Sequence, residues 1–199
     1  MSNTRSLAVY LAALLASVCI SVAQAQTGQS GGSGQSSGSG HDSLDSKDFV
    51  KRATQSNLAE IKVSQLAESK AQNPAVKSFA SRMVADHTQA NSQLAQLAQA
   101  KNLKVPDDTD IMHKASMKML QAKSGEGFDS AYMEQMDKDH KKVIDLFQTA
   151  STSSKVDPEL QAFAAKMLPK LQDHHQMVAQ VESKLPTTSA SSRPSSTNR

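Results

Sequence analysis

NPAVKSFASRMVADHTQANSQLAQLAQA, residues 73–100, is the stretch on which the fold turns. Asn73 followed by Pro74 supplies a helix N-cap and a residue suited to the first helical position. Beyond it, Val76, Ala80, Met83, Ala90, Leu94 and Leu97 recur at helical spacing and form one apolar stripe. One position of that stripe is polar, and it is His87. The spacing predicts a helix to about Lys101, amphipathic and core-facing, with an imidazole on its buried side.

Reading outward, Asp157-Pro158 repeats the same start signal and opens a helix to about Leu185. Its stripe is Leu160, Ala164, Met167, Leu171, Val178 and Val181, interrupted by His174. Between these two helices the periodicity predicts a short helix over about 109–123 and a long one over about 129–150, separated by Gly125-Glu126-Gly127. The long one carries Met133, Met136, Val143 and Phe147, with His140 in the gap. Upstream, Asp45 or Ser46 caps a first helix running to about Gln72, in which Phe49, Ala53, Val63 and Ala67 leave Glu60 at the equivalent place. The expectation is an all-α, ferritin-like four-helix bundle of two hairpins, with a short extra helix in the crossover. A partial repeat, Glu60-x-x-Val63-x-x-Leu66 against His140-x-x-Val143-x-x-Leu146, fits either duplicated hairpins or two converged core stripes.

The chain has 199 residues, and its ends do not read as part of this domain. Arg5 precedes the apolar run Leu7–Ile20, which ends near Ala23-Gln24-Ala25 and is shorter than a membrane-spanning helix. We expect residues 1–25 to be a signal peptide cleaved after Ala25, giving a periplasmic or secreted protein; an uncleaved anchor is the alternative. Residues 26–44 form a Gly/Ser/Gln tether and 186–199 a Ser/Pro/Thr tail, both expected to be disordered. This leaves 45–185 as the folded domain. No transmembrane span remains after cleavage, and the single cysteine, Cys19, leaves with the signal. A disulfide framework and a cysteine nucleophile are thereby excluded. Basic and acidic residues intermingle without aromatic partners, so nucleic acid is not an expected ligand; an envelope protein is the expected kind of partner.

Glu60, His87, His140 and His174 are the candidate metal ligands, one per long helix. Three imidazoles and a carboxylate suit Zn, Fe or Mn. Copper, through Met83, Met136 or Met177 near the histidines, ranks behind them because Met at such spacing is ordinarily core filler. The other reading is a buried hydrogen-bonded cluster in which Glu60 pairs with a histidine. By helical rise, Glu60 and His87 should meet about 18–20 Å from their turn, whereas His140 and His174 differ in level by roughly 9 Å unless Pro169 shifts the last helix. Each histidine follows an aspartate (Asp86, Asp139, Asp173), expected to face solvent or, alternatively, to orient a ligand from another helix. Asp137 shares a face with His140. His41, His113 and His175 are given no role.

The stretches Asn57-Leu58-Ala59-Glu60, Phe79-Ala80-x-x-Met83-x-x-Asp86-His87, Gly127-Phe128-Asp129-x-x-Tyr132-Met133, Asp139-His140 and Leu168-Pro169-x-Leu171-x-x-His174 resemble an exported bacterial helical-bundle family of unknown function. Its members are ferritin-like and are labelled membrane or outer-membrane proteins. The resemblance spans about 45–185 and implies a ferritin-like topology and an envelope location, with no established activity. It departs from the di-iron pattern: Met83, Val84 and Leu171 stand where further carboxylates would be wanted.

No Ser-His-Asp order, phosphate loop or zinc-protease motif is present, so no catalytic residue is assigned. The expected role is a non-enzymatic stress-related or partner-binding module whose inward polar residues shape the core, either as a hydrogen-bonded cluster or around one metal. The competing expectation is a metal-dependent redox or hydrolytic enzyme. Convergence of the four side chains together with a pocket reaching them would favour the second.

Overall fold

A computed structural model describes residues 44–186; the expected signal peptide, all of the tether but Leu44 and all of the tail but Pro186 lie outside the described residues. Five α-helices and no strand occur among these residues: α1 (Ser46–Lys70), α2 (Pro74–Ala100), α3 (Ile111–Gln121), α4 (Gly125–Thr152) and α5 (Pro158–Glu182). None is long and apolar enough to cross a membrane.

The starts follow from local chemistry. Asp45 Oδ1 accepts from the Asp48 amide at 2.8 Å, Asn73 Oδ1 from Ala75 at 2.8 Å, and Asp157 Oδ1 from Glu159 at 2.9 Å, the last two with Pro at the helix start. Such caps contribute about 1 kcal/mol each. α2 stops because Asn102 adopts a left-handed φ of 56°, letting the Leu103 amide reach back to the Ala98 carbonyl at 2.9 Å. α4 begins a turn earlier than its apolar pattern announced. Gly125 takes a φ of 59° after the extended Ser124, so the chain turns sharply and Gly127 falls inside the first turn of the helix.

α1 packs against α2 and α4 against α5 along their lengths, and the two hairpins join through α1–α4 and α2–α5 contacts. Asp129, fully buried at the start of α4, accepts from the Gln72 and Asn73 amides (3.1 and 2.7 Å) and so fastens the α1–α2 turn to the second hairpin.

The core is divided. One apolar half gathers Phe49, Ala53, Leu94, Val143, Phe147, Leu160 and Phe163, with Phe49 and Phe147 edge to face at 5.2 Å. The other gathers Val63, Val76, Phe79, Met83, Tyr132, Met136 and Val178. On every long helix one residue falls between the halves: Glu60, His87, His140 and His174. Leu97, Met167 and Val181, expected on the apolar stripes, are only partly buried. α3 lies beside α1 and α4, buries Leu120, and leaves Ile111, Met112 and Met119 exposed.

Candidate metal centre

All four side chains anticipated from helical phase are buried, at most 2% exposed, and all four converge. His87 Nε2 lies 2.9 Å and His140 Nε2 3.6 Å from Glu60 Oε2. The three imidazoles pack mutually, with ring centroids 5.4–5.8 Å apart, and one ring nitrogen from each falls within 4.8 Å of the others.

The level mismatch expected for His140 and His174 is corrected. α4 runs to Thr152, so His140 stands 12 residues before its end while His174 stands 16 after Pro158. In the first hairpin the corresponding distances are 10 and 13. Both hairpins thus place the second residue three or four positions farther from the turn. Side chains on a helix lean toward its N-terminus, and antiparallel partners lean toward one another along the axis, which closes these offsets of about 5–6 Å.

Each imidazole spends its other nitrogen on a fixed partner. His87 Nδ1–H donates to Asn57 Oδ1 at 2.9 Å, and His140 Nδ1–H to the Met136 carbonyl at 2.9 Å. His174 Nε2–H donates to Asp86 Oδ2 at 2.8 Å. The lone pairs of His87 Nε2, His140 Nε2 and His174 Nδ1 are then turned inward, and neither these atoms nor the two Glu60 oxygens make a well-formed hydrogen bond. A polar cluster built on Glu60 and His87 satisfies that pair alone, through a His87 Nε2–H, and still leaves His140 Nε2 and His174 Nδ1 unsatisfied. A single cation at the three ring nitrogens, with Glu60 Oε2 beside those of His87 and His140, takes up these lone pairs, so the donor set fits a divalent ion.

Electrostatics point the same way. Burial raises the Glu60 carboxyl, but attraction to His87 and His140 and the contact with His87 override it and hold it at about 2. Burial pushes the His174 imidazole down to about 4, against the Asp86 hydrogen bond and helped by the charges of His87 and His140. Asp86 is opposed by desolvation yet held at about 2 by Lys170 and His174. An anionic Glu60 carboxylate and a His174 imidazole kept unprotonated are what a metal ion requires of these two groups.

A cleft of about 260 Å³ between α1, the start of α3 and α4 reaches Glu60, its most buried lining residue, past Asp139 and Ser56.

The sequence model for the domain of unknown function DUF4142 matches residues 32–181, which include all four inward side chains. The chain belongs to the DUF4142 family. No curated protein matches it. The DUF4142 fold is shared with solved structures of low sequence identity. A DUF305 fragment from Deinococcus radiodurans is 13% identical with a TM-score of 0.62, covering 69% of this chain and 94% of its own. CopM in its Cu(II)-bound form is 16% identical with a TM-score of 0.59, covering 70% and 97%. The Mycobacterium tuberculosis protein rv2844 is 12% identical with a TM-score of 0.57, covering 71% and 93%.

Around the inward four, the aspartates of this DUF4142 domain divide by role. Asp173 is exposed, as expected. Asp86 instead crosses to α5 and orients His174, with Lys170 Nζ 2.8 Å from its other oxygen. Asp137 does not join the site beside His140; it faces outward, 2.8 Å from His175 Nε2 and 2.7 Å from Lys141. His113, given no role, packs 2.7 Å from the α3 cap Asp110 at the cleft wall. Asn57 went unassigned, although it precedes Glu60 by three residues, a spacing that puts both on one face. Met83 and Met136 are wholly buried in an apolar half of the core.

Proposed function

We propose that this DUF4142 protein is an exported domain of ferritin-like four-helix topology that binds one divalent metal ion between Glu60, His87, His140 and His174. The observation that carries the reading is the set of inward lone pairs: three buried ring nitrogens within 4.8 Å of one another, each imidazole held from behind by a separate partner, with the Glu60 carboxylate beside those of His87 and His140. The signal-like segment 1–25, the tether and the tail accord with an envelope location, cleaved after Ala25 and with the folded part at 45–185.

Imidazole and carboxylate donors favour Zn, Fe or Mn. Cu(II) joins them as a candidate because imidazole binds it well and because CopM, which shares the fold, carries that ion. The buried methionines belong to the apolar core and give no reason to invoke thioether ligation.

Holding the ion for a partner-binding or stress-related role is the first reading. A metal-dependent enzyme is the second, and the cleft reaching Glu60 is the observation in its favour. Elemental analysis of mature protein purified from a periplasm, beside His87→Ala, tests the metal itself. One ion per chain, lost in the variant, is the expected result. Equal and near-zero metal in both removes the reading.

A further inference from the structure

We propose that the cleft between α1, α3 and α4 is the mouth of the metal centre and admits a small, carboxylate-sized anion as an added ligand to the ion. The proposal rests on the metal reading above and extends it to a second, exchangeable component.

Access is one-sided. His174 is backed by Asp86 and Lys170, His87 by Asn57, and His140 by the backbone of its own helix. Apolar halves of the core close the axis in both directions. The remaining side is that of Glu60, whose unpartnered oxygens are buried at the inner wall of the cleft. Four protein donors fill a tetrahedral shell but leave one or two positions free on an ion that takes five or six ligands.

Charge selects the ligand. A divalent ion with three neutral imidazoles and one carboxylate leaves one uncompensated positive charge in the core, since Lys170 already offsets Asp86. An unbalanced buried charge is costly, and an anion at the free position neutralises it. The cleft itself adds a cation. Lys142 faces Asp139 at 3.6 Å and Asp110 hydrogen-bonds the His113 ring, which offsets its charge only when protonated, whereas Arg52 makes no ion pair with any described residue. Ser56 offers a hydroxyl donor on the same wall. The incoming anion donates a lone pair to the ion in place of water; no bond within it breaks and no electron moves.

Mature protein loaded with Co(II) provides the test, with azide and acetate as probes and visible absorption as the readout. Metal analysis precedes each titration. Both anions should change the Co(II) spectrum saturably. Arg52→Ala should weaken them about three- to fivefold, the loss of one partly exposed charge contact. Ser56→Trp, which fills the cleft, should abolish the response while Co(II) stays at one per chain. Lys166→Ala, on the opposite side beside Asp86, should change nothing. A stoichiometric Co(II) protein whose spectrum ignores both anions overturns the proposal, as does undiminished binding in both Arg52→Ala and a folded, Co(II)-loaded Ser56→Trp. Failure to take up Co(II) at all is separately visible in the metal analysis and overturns the metal reading together with this one.

Discussion

The Asp86 carboxylate on α2 lies 2.8 Å from His174 Nε2 on α5, so one helix fixes the orientation of an imidazole carried by another. Locking the ring at Nε2 turns Nδ1 toward Glu60, His87 and His140. Asp86→Ala should therefore lower metal affinity about 10- to 100-fold, the usual effect of losing the residue behind a ligating histidine. Asp173→Ala, at the exposed aspartate beside His174, should leave affinity unchanged. Competition against a chelator of known affinity measures both, and equal effects of the two would refute the assignment.

Acid should weaken the metal-free protein in two stages. The folded His174 does not take its proton until about pH 4, whereas the unfolded imidazole takes it near 6.5. The unfolded state then holds more protons across that window, and stability falls as pH drops from 6.5 to 4, by about 2–3 kcal/mol. Glu60, ionised in the fold down to about 2, adds a further loss between its ordinary value of 4.5 and pH 2. Urea titrations of chelated protein at several pH values should show the first stage. His174→Leu should flatten it.

Removing the ion should cost stability that grows with the logarithm of its affinity. With free metal at 100 times Kd the bound state gains about 2.7 kcal/mol. For a domain of this size that corresponds to a fall in Tm of roughly 5–10 °C on chelation. Calorimetry with and without a chelator reads the shift, and His87→Ala should show none.

Asp129 is predicted to matter for folding and not for metal. Asp129→Ala leaves the Gln72 and Asn73 amides without their charged acceptor at a part-buried turn. A loss of about 2–3 kcal/mol in urea unfolding is expected, with metal affinity changed less than about twofold. A stable variant with weakened metal binding would contradict this division.

Glu60, His87, His140 and His174 were legible because a polar residue inside an apolar helical stripe has no outward position to take. The Asn73-Pro74 and Asp157-Pro158 starts were legible for an equally local reason, a capping side chain followed by a fixed φ. What escaped was set between helices. Asp86 pointed away from its own histidine, and only the packing of α2 on α5 shows which ring it meets. The His140–His174 level was misjudged because counting along the axis omits the lean of each side chain. Gly125-Glu126-Gly127 was read as a break because glycine is a poor helix former, yet Gly125 serves as the bend and α4 includes all three. The cleft depends on where α3 rests, and its exposed Ile111, Met112 and Met119 blur the stripe that would have oriented it.

The split core makes the middle of each long helix its least self-sufficient turn. Two oily plugs hold the ends of the helices together, and between them sits a girdle that the proposed ion would bind into one piece. Emptied, the girdle is where backbone amides should begin to exchange with deuterium ahead of either plug; filled, one atom rivets four segments drawn from positions 60 to 174 of the chain.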